Sequence, residues 1–399
     1  MPIVKLRAAS PSRSLNDRML EEMDKSLEAA SFYGFTPIKK PLLKKEDLVK
    51  AKSFDEDLYY ADLEEDLEYC HRIEEKICLL RNYLESSPAE RTLPLMFSYR
   101  VRNKVRSDCS CPINLATLGA PTSIAEIISI KTSLAILSEQ GLKNLKIEVN
   151  SVGDRESFSR FEREFVIYLR KNLELLPANL RQDIKTNIRE IFKYHDHELA
   201  NFWEAAPKPI NFLTPLSIRH LKEVLEYLEY LGMPYKINHF LIPNRECCHH
   251  IVFRIRNDDQ IRALGIGHCN LSKKIGLRKD IPLFTVVIKD NPPTKVKVIF
   301  LKRRKPKFYL VQFGNRAKIK SLAVIEILRK AGIPLYHSLA KDTLVSQLSA
   351  AESLKLSYIL IIGEKEALEE SVAIRNIDTR VQETVPMINL VNYLRKIRV

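Results

Sequence analysis

The side chains of this sequence best suited to chemistry fall in a few short runs. Cys109 and Cys111, then Cys247-Cys248-His249-His250, then His268-Cys269 gather thiols and imidazoles, the ligands a tetrahedral zinc ion takes. Their spacings fit no finger or ribbon pattern. Cys109 and Cys111 would share one face of an extended strand, because side chains alternate with a period of two. Cysteines of this kind are most often small buried apolar residues, so no metal is assigned. A second run, Lys295, Lys297, Lys302, Arg303, Arg304, Lys305 and Lys307, packs seven cations into thirteen residues and reads as a basic connector. Lys39-Lys40 and Lys44-Lys45 read as solvated pairs, and the single tryptophan, Trp203, as a packing residue.

Such residues need elements to position them. Leu15, Met19, Met23, Leu27 and Ala30 recur at helical spacing over 15–33. The run 55–69 is acidic and reads as exposed. Segments 96–101 and 113–118 suit two strands of a hairpin. A strand over 146–149 ends at the turn-rich Asn150-Ser151-Val152-Gly153. Phe158, Phe161, Phe165, Leu169, Leu173 and Leu176 then recur every three or four residues, which is a helix with one apolar face stopped by Pro177. Further helices are expected over 178–194 and 221–231, the latter closed by Gly232 and Pro234. Residues from about 153 to 235 therefore read as a helical insertion between β-rich segments. Beyond 307 the pattern alternates: strand 308–313, helix 317–331, strand 335–338, helix 343–355, strand 358–362, strand 372–377 and a helix near 388–397. That alternation is the mark of a small α/β domain with crossover connections.

The bulk figures bound the rest. With 399 residues, two or three cores are affordable. No stretch of about 18 apolar residues is present, and the first residues lack an apolar signal segment. Seven cysteines do not suggest a disulfide framework, so a reducing cytoplasm is the expected setting. The formal net charge of +14 favours polyanionic partners through counterion release.

Several phrases, in order along the chain, resemble the histidyl-tRNA synthetase family of class II aminoacyl-tRNA synthetases. Tyr33-Gly34-Phe35 with Ile38 and Pro41 is similar to motif 1. His71-Arg72-Ile73-Glu74-Glu75-Lys76, followed by Arg81, stands where the family has Leu-Arg-Pro-Glu-x-Thr. Asn150–Gly153 resembles the junction before the family's insertion domain, and 187–192 its Asn-Pro-Leu-Arg-Ile-Leu segment. Ala206-Pro207-Lys208 and Leu231-Gly232-Met233-Pro234-Tyr235 resemble the phrases leading to the histidine pocket. Gln347, Ala351, Ile361-Ile362-Gly363-Glu364, Glu366, Arg375, Asp378, Thr379 and Gln382 follow the family's anticodon-binding domain. The resemblance implies an α/β (α+β) chain. A class II synthetase-like antiparallel sheet flanked by helices would occupy 1–304, with its helical insertion near 153–235. A small α/β anticodon-binding domain would occupy 305–399.

The same resemblance exposes what is replaced. Adenylate formation brings a carboxylate against the α-phosphate of ATP and needs fixed cations there, for which arginine's fork is suited. Where motif 2 has Phe-Arg-x-Glu, this chain has Phe97-Ser98-Tyr99-Arg100. The family's Arg-Gly-Leu-Asp-Tyr-Tyr reads Pro243-Asn244-Arg245-Glu246-Cys247-Cys248. Its Gly-Gly-Gly-Arg-Tyr-Asp reads Gly265-Ile266-Gly267-His268-Cys269-Asn270, and the glutamine expected to hold histidine falls at Pro112. The family register also puts Ser98 and Pro112 on one strand face, opposite Cys109 and Cys111. The motif 3 arginine falls at Pro292, within Asp290-Asn291-Pro292-Pro293. Glu74, which would face the amino group, is retained. Losing one preorganised charge contact costs about 10²- to 10³-fold in rate, so several together imply little adenylation.

The leading expectation is a non-catalytic tRNA-binding or regulatory relative, homodimeric and cytoplasmic. The second is a working histidine–tRNA ligase with a rebuilt site, in which Arg100 or Arg245 substitutes and ATP and magnesium would enter. The third is a partner of histidine biosynthesis, since a regulatory subunit there shares the catalytic-like fold but lacks the anticodon domain. On the tRNA reading, Arg316, Lys318, Lys320, Arg329 and Lys341 are expected at phosphates, and Gln347, Arg375 and Gln382 beside splayed anticodon bases.

Overall fold

Two sheets, one of eight strands and one of five, organise the chain. The structure is a computed structural model and describes residues 22–52, 72–86, 93–101, 112–120, 123–178, 180–181, 191, 199–243, 248–258, 260–268, 270–289, 301–302, 306–339 and 343–397. The expected features at 15–21, 55–69, 102–111, 182–190, 244–247 and 290–300 lie outside them.

The chain enters through β1 (Glu22–Met23) and α1 (Lys25–Phe32). Asp24 caps α1 by accepting the Leu27 N–H at 3.0 Å. After β2 (Thr36–Pro37) and α2 (Lys45–Lys52) come α3 (Ile73–Glu85), the hairpin-like pair β3 (Leu95–Arg100) and β4 (Ile113–Leu118), and α4 (Ile124–Glu139). Next are β5 (Leu145–Gly153) and α5 (Arg155–Lys171), then α6 (Ala200–Ala205) and α7 (Pro215–Tyr230). The sheet is completed by β6 (Tyr235–Ile237), β7 (Cys248–Asn257), β8 (Gln260–His268) and, after the short α8 (Leu271–Lys274), β9 (Leu283–Ile288). The strand order is β2-β3-β4-β9-β8-β7-β5-β6, antiparallel from β3 to β5 and parallel at both edge pairs.

Alternation gives this sheet two faces, and each is buried. Ile113, Leu115, Val286, Ile288, Phe253 and Ile255 point to one face, where α1, α4 and α7 pack. Phe97, Tyr99, Leu118, Val252, Ile266 and Val287 point to the other, which is covered by Ile73, Ile77 and Leu80 of α3. On the first face a row crosses six strands: Ser98, Leu115, Val286, Gly265, Phe253, Val149. Gly265 has a specific task in that row, since a Cβ there would collide with the Phe253 ring.

The apolar stripe of α5 is realised over Phe161, Phe165 and Leu169, which are buried, while Phe158 is only partly so; the helix ends at Lys171, short of Pro177, and Leu173 falls in a separate 3-10 turn, Leu173–Leu175. The stripe residues form a core of their own with Phe202 and Trp203, the latter 6.4 Å from Phe165 and nearly parallel to it. The helix α7 goes elsewhere. Its Leu221, Val224 and Leu228 join the core of the large sheet, not that of α5.

The connector residues Leu301–Lys302 form β10, which pairs antiparallel with β1. The second sheet follows: β11 (Phe308–Gln312), α9 (Asn315–Lys330), β12 (Leu335–His337), α10 (Leu344–Ser353), β13 (Tyr358–Ile362), α11 (Glu364–Leu368), β14 (Ser371–Asn376), β15 (Gln382–Pro386) and α12 (Leu390–Lys396). Its order is β12-β11-β13-β14-β15, parallel over the first three strands and antiparallel after them. The strand β15 is an addition to the sequence expectation. Its residues Gln-Glu-Thr-Val-Pro are polar and largely exposed, as an edge strand allows.

Replacing Gly265 by alanine forces the Phe253 ring out of its place. A Gly265→Ala chain is expected to lose about 1–3 kcal/mol of stability, read as a lower urea midpoint with an unchanged slope.

Candidate functional site

The positions singled out for the synthetase site separate onto the two faces of the large sheet. Ser98 is fully buried on the α1/α4 face, and its Oγ has no hydrogen-bond partner. Arg100, two residues on and on the same face, gives its Nε to Asp24 at 2.6 Å. It thus ties β3 to the residue that caps α1. His268 points the other way and is 2.9 Å from Thr285 Oγ1. Pro112 stands one step out of phase with Ser98, because Arg100 pairs with Ile113 and the Val101 N–H reaches the Pro112 carbonyl at 3.3 Å. The expectation that Ser98 and Pro112 share a face is therefore corrected by the pairing register. Pro243 is buried in the loop before β7, Cys248 begins β7, and Arg245, Cys109 and Cys111 lie outside the described residues.

The N-terminus of α3 holds an unusual set of buried charges. Glu74, Glu75 and Lys76 are each at most 5% exposed. One Glu74 oxygen meets Arg72 at 2.6 Å. The other Glu74 oxygen and both Glu75 oxygens have no hydrogen-bond partner. Burial pushes the Glu75 carboxyl up, against the pull of Lys76 and Arg72. Tyr99, fully buried on the same face, is raised by burial and by Glu75. Helix α3 thus begins with two buried carboxylates whose charge is only partly compensated.

A second polar cluster escaped the sequence reading. The His220 ring is 2.9 Å from Glu126 and stacks on His250 with centroids 5.4 Å apart. His250 sits at a left-handed φ of 58°, where the β7–β8 register shifts. Burial acts to lower the His220 pKa, but the bond to Glu126 raises it overall. Burial and His220 together lower that of His250. His250 was singled out in the sequence with its Cys and His neighbours, but nothing in the spacing paired it with His220 on a distant helix. Among the described residues, no group of three His, Cys, Asp or Glu side chains could hold a metal ion.

In the C-terminal part, the eight residues expected at tRNA divide sharply. Gln347 is corrected: it is wholly buried, accepts the Gln312 N–H at 3.0 Å and donates to the Gln312 carbonyl at 2.8 Å, pinning α10 to β11. Arg329 is corrected as well. Its side chain is 8% exposed and held by Glu326 at 2.9 Å and Glu139 at 2.5 Å, a tie between α9 and α4. Lys318 is buried, and Lys320 meets Glu370 at 2.6 Å. Arg316 is exposed. Arg375 and Gln382 are exposed and lie directly opposite each other on β14 and β15. Lys341 lies outside the described residues.

The Arg329 tie continues inward, where Tyr33 of motif 1 donates to Glu326. Burial acts to raise the Glu326 pKa, but bonds from Arg329 and Tyr33 outweigh it and lower it to about 2.

Residues 296–397 match the family described as an anticodon binding domain. The chain is similar to the histidine–tRNA ligase of Pelodictyon phaeoclathratiforme, 24% identical over 334 residues, covering 80% of this chain and 77% of that protein. It is similar to the chloroplastic histidine–tRNA ligase of Gracilaria tenuistipitata var. liui, 23% identical, covering 94% and 93%. Among solved structures, apo histidyl-tRNA synthetase of S. aureus aligns with a TM-score of 0.48 and 18% identity, covering 92% and 93%. The large antiparallel sheet with its helices is thus followed by a small α/β domain that carries the anticodon-binding match. Residues 296–397 belong to the anticodon binding domain family, and the chain as a whole is similar to histidine–tRNA ligases.

The depressed Glu326 pKa makes a signed prediction. Its contribution is fully present above the ordinary glutamate value and is lost as pH falls from about 4.5 towards 2. Glu326→Gln is expected to cost about 2 kcal/mol at pH 7 and much less near pH 2, read from urea midpoints of both chains at each pH.

Proposed function

We propose that this chain binds tRNA through its C-terminal domain and has impaired or absent aminoacylation. The observation that carries this reading is Ser98. It fills the motif 2 arginine position with a small, fully buried hydroxyl on the helix-covered face of the sheet. Arg100, the nearest candidate to take over, is already engaged with Asp24 at 2.6 Å. Pro243 adds no charge at the next arginine position. The described residues at these positions do not fit a triphosphate, which needs fixed cations, so no step through ATP or magnesium is derived.

Binding to tRNA is supported by the anticodon-binding match over 296–397, by the net charge of +14, and by Arg316, Arg375 and Gln382 on the surface. The same match weighs against the reading as a regulatory subunit of histidine biosynthesis. A domain boundary near 304 and a homodimer built on motif 1 complete the proposal. A cytoplasmic location is proposed with them; among the described residues no helix is long and apolar enough to cross a membrane.

The decisive assay is histidine-dependent ATP–pyrophosphate exchange, expected near background. Exchange at an ordinary synthetase rate would establish a rebuilt, working ligase. Binding of tRNA by the full chain should weaken as salt rises. Replacing Arg316 by alanine should lower the slope of log affinity against log salt by about 0.7–0.9 for every tRNA tested, whereas Gln382→Ala should relax discrimination among tRNAs. Absence of any salt-dependent binding at low ionic strength would replace the tRNA reading with a protein-partner role. Light scattering should give a particle near twice 46.1 kDa at micromolar concentration.

A further inference from the structure

One end of the large sheet carries its charge on a single face. Strands β5, β6 and β7 contain four lysines and arginines, Lys146, Lys236, Arg254 and Arg256, and one carboxylate, Glu148. Lys146 and Glu148 alternate with Ile147 and Val149, and Arg254 and Arg256 with Phe253 and Ile255, all four of which are buried in the core under α4 and α7. The charged side chains therefore stand on the opposite face, the one on which α3 packs further along. The register sets Lys146 opposite Arg256, Glu148 opposite Arg254, and Lys236 opposite Glu148. Lys146 and Lys236 are exposed, and both arginines are half-buried.

Residues opposite each other on antiparallel strands have Cβ atoms about 4.5–5.5 Å apart, and like charges so placed are destabilising. Lys146 and Arg256 are such a pair. Glu148 lies among the cations but is already engaged, accepting from Arg254 and from Asn238, the latter at 2.9 Å. Burial acts to raise its pKa, but the Asn238 bond and the two arginines outweigh it and hold the carboxyl below the ordinary glutamate value. One carboxylate against four cations leaves a positive field over this face. Threonine suits an exposed strand position better than lysine does, so strand packing does not account for the excess.

We propose that this face of β6, β5 and β7 is a second RNA-backbone surface, holding phosphates of the same tRNA that the C-terminal domain binds. The proposal rests on the tRNA reading given above and adds a surface on the large sheet to it. Two strand spacings, about 10 Å, separate β6 from β7, so the four cations reach neighbouring phosphates of one strand. Arginine grips phosphate with its fork, and lysine meets it as a point charge. Contacts of this kind position RNA without reading its sequence. With two surfaces on one chain the second contact is intramolecular, so two weak sites give a tighter attachment than either alone.

The test follows unfractionated tRNA binding to the full chain by filter retention over about 50–200 mM salt. Lys146→Ala combined with Lys236→Ala is expected to lower the slope of log affinity against log salt by about 1.4–1.8, the share of two phosphate contacts. Its urea midpoint should hold or rise, because a like-charge opposition is removed, and this separates lost contacts from lost fold. Glu148→Gln keeps the side-chain shape, removes the one negative charge and should tighten tRNA binding about three-fold. An unchanged slope for the double variant, or no gain from Glu148→Gln, overturns this surface; a lowered slope for Arg316→Ala in the same experiment leaves the tRNA reading standing. Absence of salt-dependent binding by the unaltered chain overturns the tRNA reading and this surface with it. If poly-glutamate binds the unaltered chain as tightly as tRNA and loses affinity in the double variant, the partner is an acidic protein and the phosphate assignment is overturned.

Discussion

Strand alternation in the large sheet is the constraint from which the rest of this molecule follows. Side chains at β3 must go to one face or the other, and both faces are buried, one under α1, α4 and α7 and one under α3. A shift of one residue in the pairing of β3 with β4 would put Phe97 and Tyr99 where Ser98 now stands and would expose Glu75 to a different neighbour. The register therefore decides at once which residues form core, which can meet a ligand, and which are spent on joining layers. Arg100 is of the last kind. Its position in a motif suggests chemistry, but its phase along the strand delivers it to the cap of α1.

The same economy governs the polar groups between the two sheets. Tyr33, Glu326, Arg329 and Glu139 form one chain of contacts from motif 1 through α9 to α4. Each member is satisfied by the next, so the set stabilises the junction instead of penalising it. At the start of α3 the opposite holds, since three carboxylate oxygens of Glu74 and Glu75 lack partners. Proteins tolerate such deficits mainly at sites retained for something other than stability. The contrast separates a satisfied polar network from a cluster whose burial is left uncompensated.

Much of the fold was legible in the sequence, because period and punctuation are local. The Phe161-Phe165-Leu169 stripe announced α5, Gly232 and Pro234 marked the end of α7, and the alternation beyond residue 307 gave the parallel strands β11, β12 and β13. What was not legible depends on partners distant in the chain. The spacing of Leu221, Val224 and Leu228 says that α7 is amphipathic but not that it turns to the large sheet instead of the insertion. Gln347 has the composition of a base reader, and only the backbone of Gln312 beside it makes it a bracket. His220 and His250 meet through a bulge that no spacing encodes. The candidate site positions were proposed from their order along the chain, while their division between two faces required the register.

One carboxylate shapes how the helical insertion joins the rest. Asp154 accepts the Ser157 N–H at 2.8 Å and the Ser157 hydroxyl at 2.9 Å with one oxygen, which starts α5. Its other oxygen takes the Thr214 hydroxyl at 2.6 Å and the Ser217 hydroxyl at 3.2 Å, which start α7. The chain thus enters and leaves the insertion through a single knot of side chains, and bonds that would fray separately are coupled. Removing that one carboxylate would take the cap from α5 and release the Thr214 and Ser217 hydroxyls at the start of α7 in the same stroke.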